Sequence, residues 1–461
     1  MKRKPIYLLI FLIIATLLSS CGNDLAKVLK SPQSYADENG FVIVDATLIR
    51  YCGNKSSVKI PDSVTSIYDN AFSGCTFIKD VTFHDKITAI GSEAFSGCTA
   101  LKEVTMPDGV ITLGARVFAG CSSLRKIKLP QYLMSVPYGM LMNCTSLKSI
   151  TLPDTVTSIG DGAFNNCRSL TKITLPGKIN EVPSYAFAGC SALSEVNLPN
   201  GLTAINDSAF DNNTAIKKIT IPESVNYIGS GAFAYCNNLE NPTLPANLVY
   251  LGESAFFGCE SITGISLPRN IDSLRKEVFS MCTSLSNVEF SSKLLSIDQK
   301  AFYNCKSLET VQLPISLTKI GASAFESSGI REITLPAAVV SIEKAAFSDC
   351  ANLEKITLSD SLISLGQFAF SGCVSLRSII IPYGVTELSS GLFNNCSSLS
   401  DLFLPAEIVK AGKGVFEGTS SLIYVNYAGS SLQWEAIKKD DEFMSDETSA
   451  KLKFIYGSKP Q

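Results

Sequence analysis

One histidine, His84, and one tryptophan, Trp434, are all that the 461 residues hold of either type. General acid–base and nucleophilic chemistry needs a convergent set of groups, and His84 has no partner pattern around it. Carboxylates are scattered rather than paired, and no phosphate-cradling glycine loop occurs. The residues therefore carry no argument for catalysis, and no cofactor is implied. Metal sites gather Cys and His at spacings of about two to four; that spacing is missing, so no metal is expected. Basic runs are missing as well. Lys and Arg number 39 against 42 Asp and Glu, and 36 against 42 without Lys2, Arg3 and Lys4. No linear segment could track a phosphate backbone, and nucleic acid is not an expected partner.

Long apolar runs are likewise few. The longest N-terminal run, Ile6–Leu18, falls short of the roughly 18 residues that suggest a spanning helix. Behind Lys2, Arg3 and Lys4 and ahead of small residues, it reads as a secretory signal over 1–20. Leu18-Ser19-Ser20-Cys21 resembles the bacterial lipobox, which makes Cys21 the expected lipidation site. Each buried acyl methylene contributes about 0.8 kcal/mol, so several chains on one cysteine would hold the protein to a membrane.

What the chain has in abundance is a repeat. Thr145 to Cys167 is one copy of a 23-residue unit marked by an aromatic slot: Phe72, Phe95, Phe118, Leu141, Phe164, Phe187, Phe210, Phe233, Phe256, Phe279, Phe302, Phe325, Phe347, Phe370, Phe393 and Phe416. Every interval is 23 except Phe325 to Phe347, which is one shorter; a deletion inside a strand would flip its faces, so it is placed in a turn. A period of this size signals a solenoid, each unit burying its apolar face on its neighbours. Ile150 and Leu152 alternate with Ser149 and Thr151 as a half-buried strand, and Pro153 stops it. Pro242, inside one such strand, cannot donate to a ladder and predicts a local break. The expected fold is an elongated solenoid of about sixteen coils, with one long parallel β-sheet and short helical or loop returns, capped at both ends. Its expected layout is a signal over 1–20, a tether over 21–40, an N-terminal cap over 41–60, repeats over 61–426 and a C-terminal cap over 427–461.

A second slot holds Cys75, Cys98, Cys121, Cys144, Cys167, Cys190, Cys236, Cys259, Cys282, Cys305, Cys350, Cys373 and Cys396, with Asn213, Ser328 and Thr419 in other coils. Parallel side chains one coil apart keep their β-carbons beyond the usual disulfide separation of about 3.8 Å. The slot reads as a buried polar ladder of reduced thiols. The strand position between the two buried residues gives an outward column, of which Thr105, Lys128, Thr151, Thr174, Asn197 and Thr220 are candidate binding residues. Exposed strands favour such residues anyway. Near its end the column turns apolar at Ile380 and Phe403, beside Tyr424, which suggests either contact with the C-terminal cap or a partner site. Asp-Ser and Asp-Thr turns such as Asp154-Thr155 resemble an O-glycosylation acceptor of exported bacterial proteins, although such pairs suit turns without modification.

The unit Leu-x-x-Ile-x-Leu-Pro-x-x-Val-x-x-Ile-Gly-x-x-Ala-Phe-x-x-Cys, as in Leu147 to Cys167, resembles the BspA-like (Treponema-type) leucine-rich repeat, over roughly Val58 to Val425. Leu141, His84, Ser291, Ser359 and Pro242 depart from the pattern locally. The resemblance implies a bacterial cell-surface or exported protein, often lipid-anchored, that binds proteins or glycans and has no reaction of its own. On that reading the chain is a monomeric outer-membrane lipoprotein, displayed at the cell surface, that adheres to a large host protein or glycan. An alternative is a scaffold that binds another bacterial envelope protein.

Overall fold

Three-residue alternation, as in Glu103-Val104-Thr105, sets up the first strand of most coils: Val104 is buried and its neighbours face water. Proline then ends the strand, and Val110 turns inward ahead of a second strand of two residues, Thr112–Leu113. Both strands pair in parallel with their equivalents one coil away, as Val104 with Ile127 and Ala89 with Thr112. The computed structural model describes residues 22–459. It is a parallel β-solenoid of about 17 turns of ~23 residues with little helix, in two units, Met1–Lys178 and Ile179–Gln461. The coils thus carry two ladders, because the second apolar pair of each repeat also presents a backbone edge to its neighbour.

In the first unit, β1 (Phe41–Val44) and β2 (Thr47–Tyr51) form an antiparallel hairpin turned by Asp45 and Ala46, both at positive φ. β2 also pairs in parallel with Ser66–Ile67, and the Tyr51 ring lies 5.3 Å from that of Phe72. The hairpin therefore supplies a turn beyond the sixteen counted from the aromatic slot. The segment taken as a tether over 21–40 is different from that expectation. Gly22–Lys30 is helical (α1), and Val28 packs with Val42 and Ile49 of the hairpin, because Leu25 and Val28 share one helix face. The signal segment and Cys21 lie outside the described residues.

In the second unit the first ladder lacks strands at 218–220 and 241–243 and keeps only an isolated bridge at Thr310; in the first unit the strand expected at Ile150 and Leu152 is likewise only an isolated bridge, Ser149 with Lys172, so the break expected at Pro242 is one of several. Asn241 Oδ1 accepts from the backbone N–H of Thr263 (2.8 Å) and Gly264 (3.0 Å), standing in for the missing backbone partner where the ladder resumes. The deletion before Phe347 falls in the turn at 327–330. After it, Glu332–Thr334 still pairs residue for residue with Lys355–Thr357. At the end of the chain, α2 (Ser431–Ala436) begins with a capping box of Ser430 and Gln433. Trp434 is buried there, 4.1 Å from Phe454 and 5.2 Å from Tyr427, and Lys453–Tyr456 extends the first ladder from Tyr424–Tyr427.

The returns are turns, not helices. In each, the residues two before and two after the aromatic slot have positive φ: Asn70 and Gly74 around Phe72, Lys300 and Asn304 around Phe302, Ala345 and Asp349 around Phe347. Two left-handed residues four apart prevent helical continuation. They aim the aromatic ring at the axis of the coil. Glycine at Gly160 and Gly252 serves close approach instead, since a Cβ there would meet backbone of the preceding coil at 2.4 Å. The rings stack: Phe256 lies 5.4 Å from Phe233 and 5.8 Å from Phe279, nearly parallel to both.

Phe256→Ala should cost about 3–5 kcal/mol through lost burial and a residual cavity, whereas Phe256→Leu should cost less than about 1.5 kcal/mol. Leu141, fully buried in the same slot, supports the tolerance. Urea unfolding of the two variants checks the difference.

Candidate binding surface

The cysteine slot faces inward, and its chemistry is backbone satisfaction. The carbonyl of Phe95 accepts from the N–H of Cys98 in its own coil (3.2 Å) and from the thiol of Cys121 in the next (3.2 Å). The same arrangement joins Cys98 to Phe72, Cys144 to Phe118, Cys167 to Leu141, Cys236 to Phe210, Cys259 to Phe233, Cys282 to Phe256 and Cys305 to Phe279. It recurs for Cys373 with Phe347 and Cys396 with Phe370. Cys350 reaches Phe325 across the shortened interval and also meets Ser328 at 3.3 Å. Cys190 is buried, Cys75 half-buried, and Cys52 lies half-buried outside the slot. Burial pushes the thiols of Cys121, Cys236, Cys282, Cys350 and Cys396 up to about 12. Among the described residues no cluster of three His, Cys, Asp or Glu is arranged to hold a metal ion.

Of the departures from cysteine in the slot, Ser328 meets Cys350 and Thr419 donates to the Phe416 carbonyl at 2.7 Å, whereas Asn213 fits less well. Asn213 Nδ2 donates to the Phe187 carbonyl at 2.8 Å, but its Oδ1 is buried without a partner, as is Asp211 Oδ1. The Asp211 carboxyl is accordingly raised by burial. His84, at a position where most coils have proline, donates from Nε2 to the Pro61 carbonyl at 2.9 Å, leaving Nδ1 buried and unpartnered. No acidic or nucleophilic side chain engages that ring.

The outward column is where a partner could be met. Thr105, Lys128, Thr151 and Thr174 of the first unit and Asn197 and Thr220 of the second are all exposed. Thr105 and Lys128 are direct ladder partners. Ile380 pairs with Phe403, yet only Ile380 is exposed, at 46%; Phe403 is 3% exposed, with the Tyr383 ring edge-on at 6.2 Å. The expectation of an exposed Phe403 is therefore corrected: a large ring on a short strand is covered by the aromatic residue after the preceding coil's proline. Tyr424 is half exposed but aligns with Asp401, one column over, and pairs with Lys453 of the cap. The ladder break leaves an open depression of about 490 Å³ lined by Glu223, Asn241, Pro242, Gly264 and Glu289. Reading one column also missed charge at the position just before the strand, where Lys79, Lys102, Arg125 and Lys148 follow one another at intervals of 23. Sampling every 23rd residue at each position would have found it.

Stacked 23-residue coils with parallel ladders and an inward aromatic in all but one slot define a leucine-rich-repeat solenoid. The BspA type leucine rich repeat region matches residues 43–144, 126–239, 205–331 and 318–438, and the chain belongs to that family. No curated protein matches it. A leucine-rich repeat protein from Bacteroides ovatus is 27% identical over 65% of this chain and 87% of its own, with a TM-score of 0.47. A leucine rich cell surface protein from Faecalibacterium prausnitzii is 27% identical over 88% of this chain and 97% of its own, with a TM-score of 0.39. A leucine-rich repeat protein of T. pallidum is 30% identical over 42% of this chain and 82% of its own, with a TM-score of 0.35.

Three outcomes follow from the slot chemistry. In native protein near neutral pH, alkylation should reach Cys52 and Cys75 and spare the twelve buried cysteines until the chain unfolds, as mass spectrometry would read. The buried thiols keep protons that the unfolded chain releases above the usual value of 9.0. Their contribution is thus fully present below pH 9.0 and is lost as pH rises toward about 12, so the urea midpoint should fall across that window. Asn213→Cys should stabilise by about 1 kcal/mol by removing an unpartnered buried oxygen, measured by the same unfolding assay.

Proposed function

We propose that this protein is an exported envelope lipoprotein, held to the outer membrane through Cys21 and displayed at the cell surface. It acts there as a non-catalytic, monomeric binding module for a large partner, a host protein or a glycan. The observation that carries the reading is the outward column of exposed side chains at one repeat position within each unit, in register where the first strands pair, as at Thr105 and Lys128. A surface repeated coil after coil suits a large, extended ligand met through many weak contacts, each modest alone and additive when geometry allows simultaneous engagement. Family membership and the cell-surface description of the Faecalibacterium relative support the placement. Among the described residues no helix is long and apolar enough to cross a membrane, and membrane attachment in this reading rests on the acyl chains.

Cells expressing the wild type and Cys21→Ser, labelled with radioactive palmitate, should show label in the first and none in the second. Protease added to intact cells should remove the wild-type protein, and immobilised matrix proteins and glycans should capture it. Protection from protease would overturn surface display and favour the envelope-scaffold alternative.

A further inference from the structure

Along the first unit, Lys79, Lys102 and Arg125 stand just before the first strand in successive coils, and Lys148 holds the same repeat position before the isolated bridge at Ser149. The Lys102 N–H donates to the Lys79 carbonyl at 3.1 Å, and the Arg125 N–H to that of Lys102 at 2.8 Å. The backbones of Lys79, Lys102 and Arg125 therefore rise in a stack at the spacing of hydrogen-bonded strands, about 4.8 Å, and the repeat continues it to Lys148, whose carbonyl accepts from the Thr171 N–H of the next coil at 3.2 Å. All four side chains are exposed, and among the described residues none of them forms an ion pair. Lys126 and Lys128 flank the buried Ile127 on the strand after Arg125, adding two exposed cations to that coil. The carboxylates on the same face are Asp80 and Glu103, next to Lys79 and Lys102, so the excess of positive charge is greatest around Arg125 and Lys148.

The same position in the second unit carries a different charge pattern. There Glu309, Arg331, Glu354 and Arg377 alternate in sign and pair along the stack, at 3.3, 4.0 and 3.6 Å. That column neutralises itself. Packing does not demand charge at this position, since Ser56, Thr171, Ser286 and Ser400 also occupy it. Four like charges stacked at coil spacing repel one another, and an anion array laid across them removes the repulsion.

We propose that this face binds a linear acidic polysaccharide bearing one carboxylate per sugar, lying along the stack with successive carboxylates on successive coils. The assignment rests on the binding-module reading and names the partner class for one part of its surface. An extended polysaccharide advances by nearly one coil spacing per sugar. Beside the cations on the same face, Thr105, Ser149 and Thr151 are short, exposed hydroxyl donors and acceptors that suit sugar hydroxyls. Single-stranded nucleic acid needs an aromatic platform for successive bases. Two positions before each cation stand Phe77, Ala100, Ser123 and Ser146, which provide only one.

The test uses the full-length protein in detergent and a fluorescent galacturonate oligomer long enough to cross four coils. Its neutral methyl ester and a duplex DNA of equal length serve as comparators. Binding to the galacturonate oligomer should weaken with salt and fall at least about tenfold in K79S/K102S/R125S/K148S, whose serines already occur at this position in other coils. It should be unchanged in R331S/R377S, and thermal melting should show both variants folded. Undiminished binding in the quadruple variant, equal binding of the ester, or tighter binding of duplex DNA overturns the assignment. If the oligomer does not bind while matrix proteins or other glycans still capture the protein, this assignment falls and the binding-module reading stands. If nothing captures it, both fall.

Discussion

Most coils turn on one buried acceptor, the carbonyl of the residue in the aromatic slot. It lies inside the return, away from water, and an unmet carbonyl there would cost about 1–3 kcal/mol. In coil after coil it receives a backbone N–H from its own turn and a thiol from the next coil, as Phe95 does from Cys98 and Cys121. The second donor arrives only if the next coil is stacked in register. The hydrogen bond, the ring stack above it and the strand pairing beside it thus impose the same 23-residue step. Thiol suits the place because a small, weakly polar donor loses little on burial. Asn213 fills the slot with a stronger donor and leaves its own oxygen unmet.

The step is tolerant wherever it is not needed. One residue is missing before Phe347, and the chain absorbs the loss in the turn at 327–330, so the strand pairing that follows is unchanged. Pro242 removes a ladder donor, and the side chain of Asn241 takes over two backbone N–H groups at the restart. Leu141 replaces a phenylalanine and remains fully buried. Each departure is repaired within a few residues because each coil depends mainly on its immediate neighbours, as quasi-one-dimensional folds do. The same independence lets the outer face differ between units while the interior stays the same: a run of cations in one, alternating pairs in the other.

Much of this was legible in the residues alone. The period, the inward aromatic and cysteine slots, a break at Pro242 and the packing role of Trp434 follow from spacing and side-chain type, because such features are local or recur at a fixed step; the strand expected at Ile150 to Leu152 is reduced to an isolated bridge from Ser149 to Lys172. The helix α1 was misread as a tether because a nine-residue segment carries few apolar residues, and its stability comes from Val28 meeting Val42 and Ile49. Phe403 was misplaced because alternation predicts the direction of a side chain and not what covers it; Tyr383 does. The returns were read as partly helical, although glycine and asparagine recur two residues after the aromatic slot, a sign of positive φ.

By itself, then, the sequence determined the repeat length, the family, and which side chains face inward, since burial of a periodic apolar pattern leaves one consistent solution. Only the tertiary structure decided that each coil carries two ladders, that left-handed residue pairs replace helical returns, and that cations 23 residues apart in the chain stand side by side. A sequence without any basic run acquires a basic stripe because stacking brings distant positions to the separation of neighbouring strands, where their charges act together.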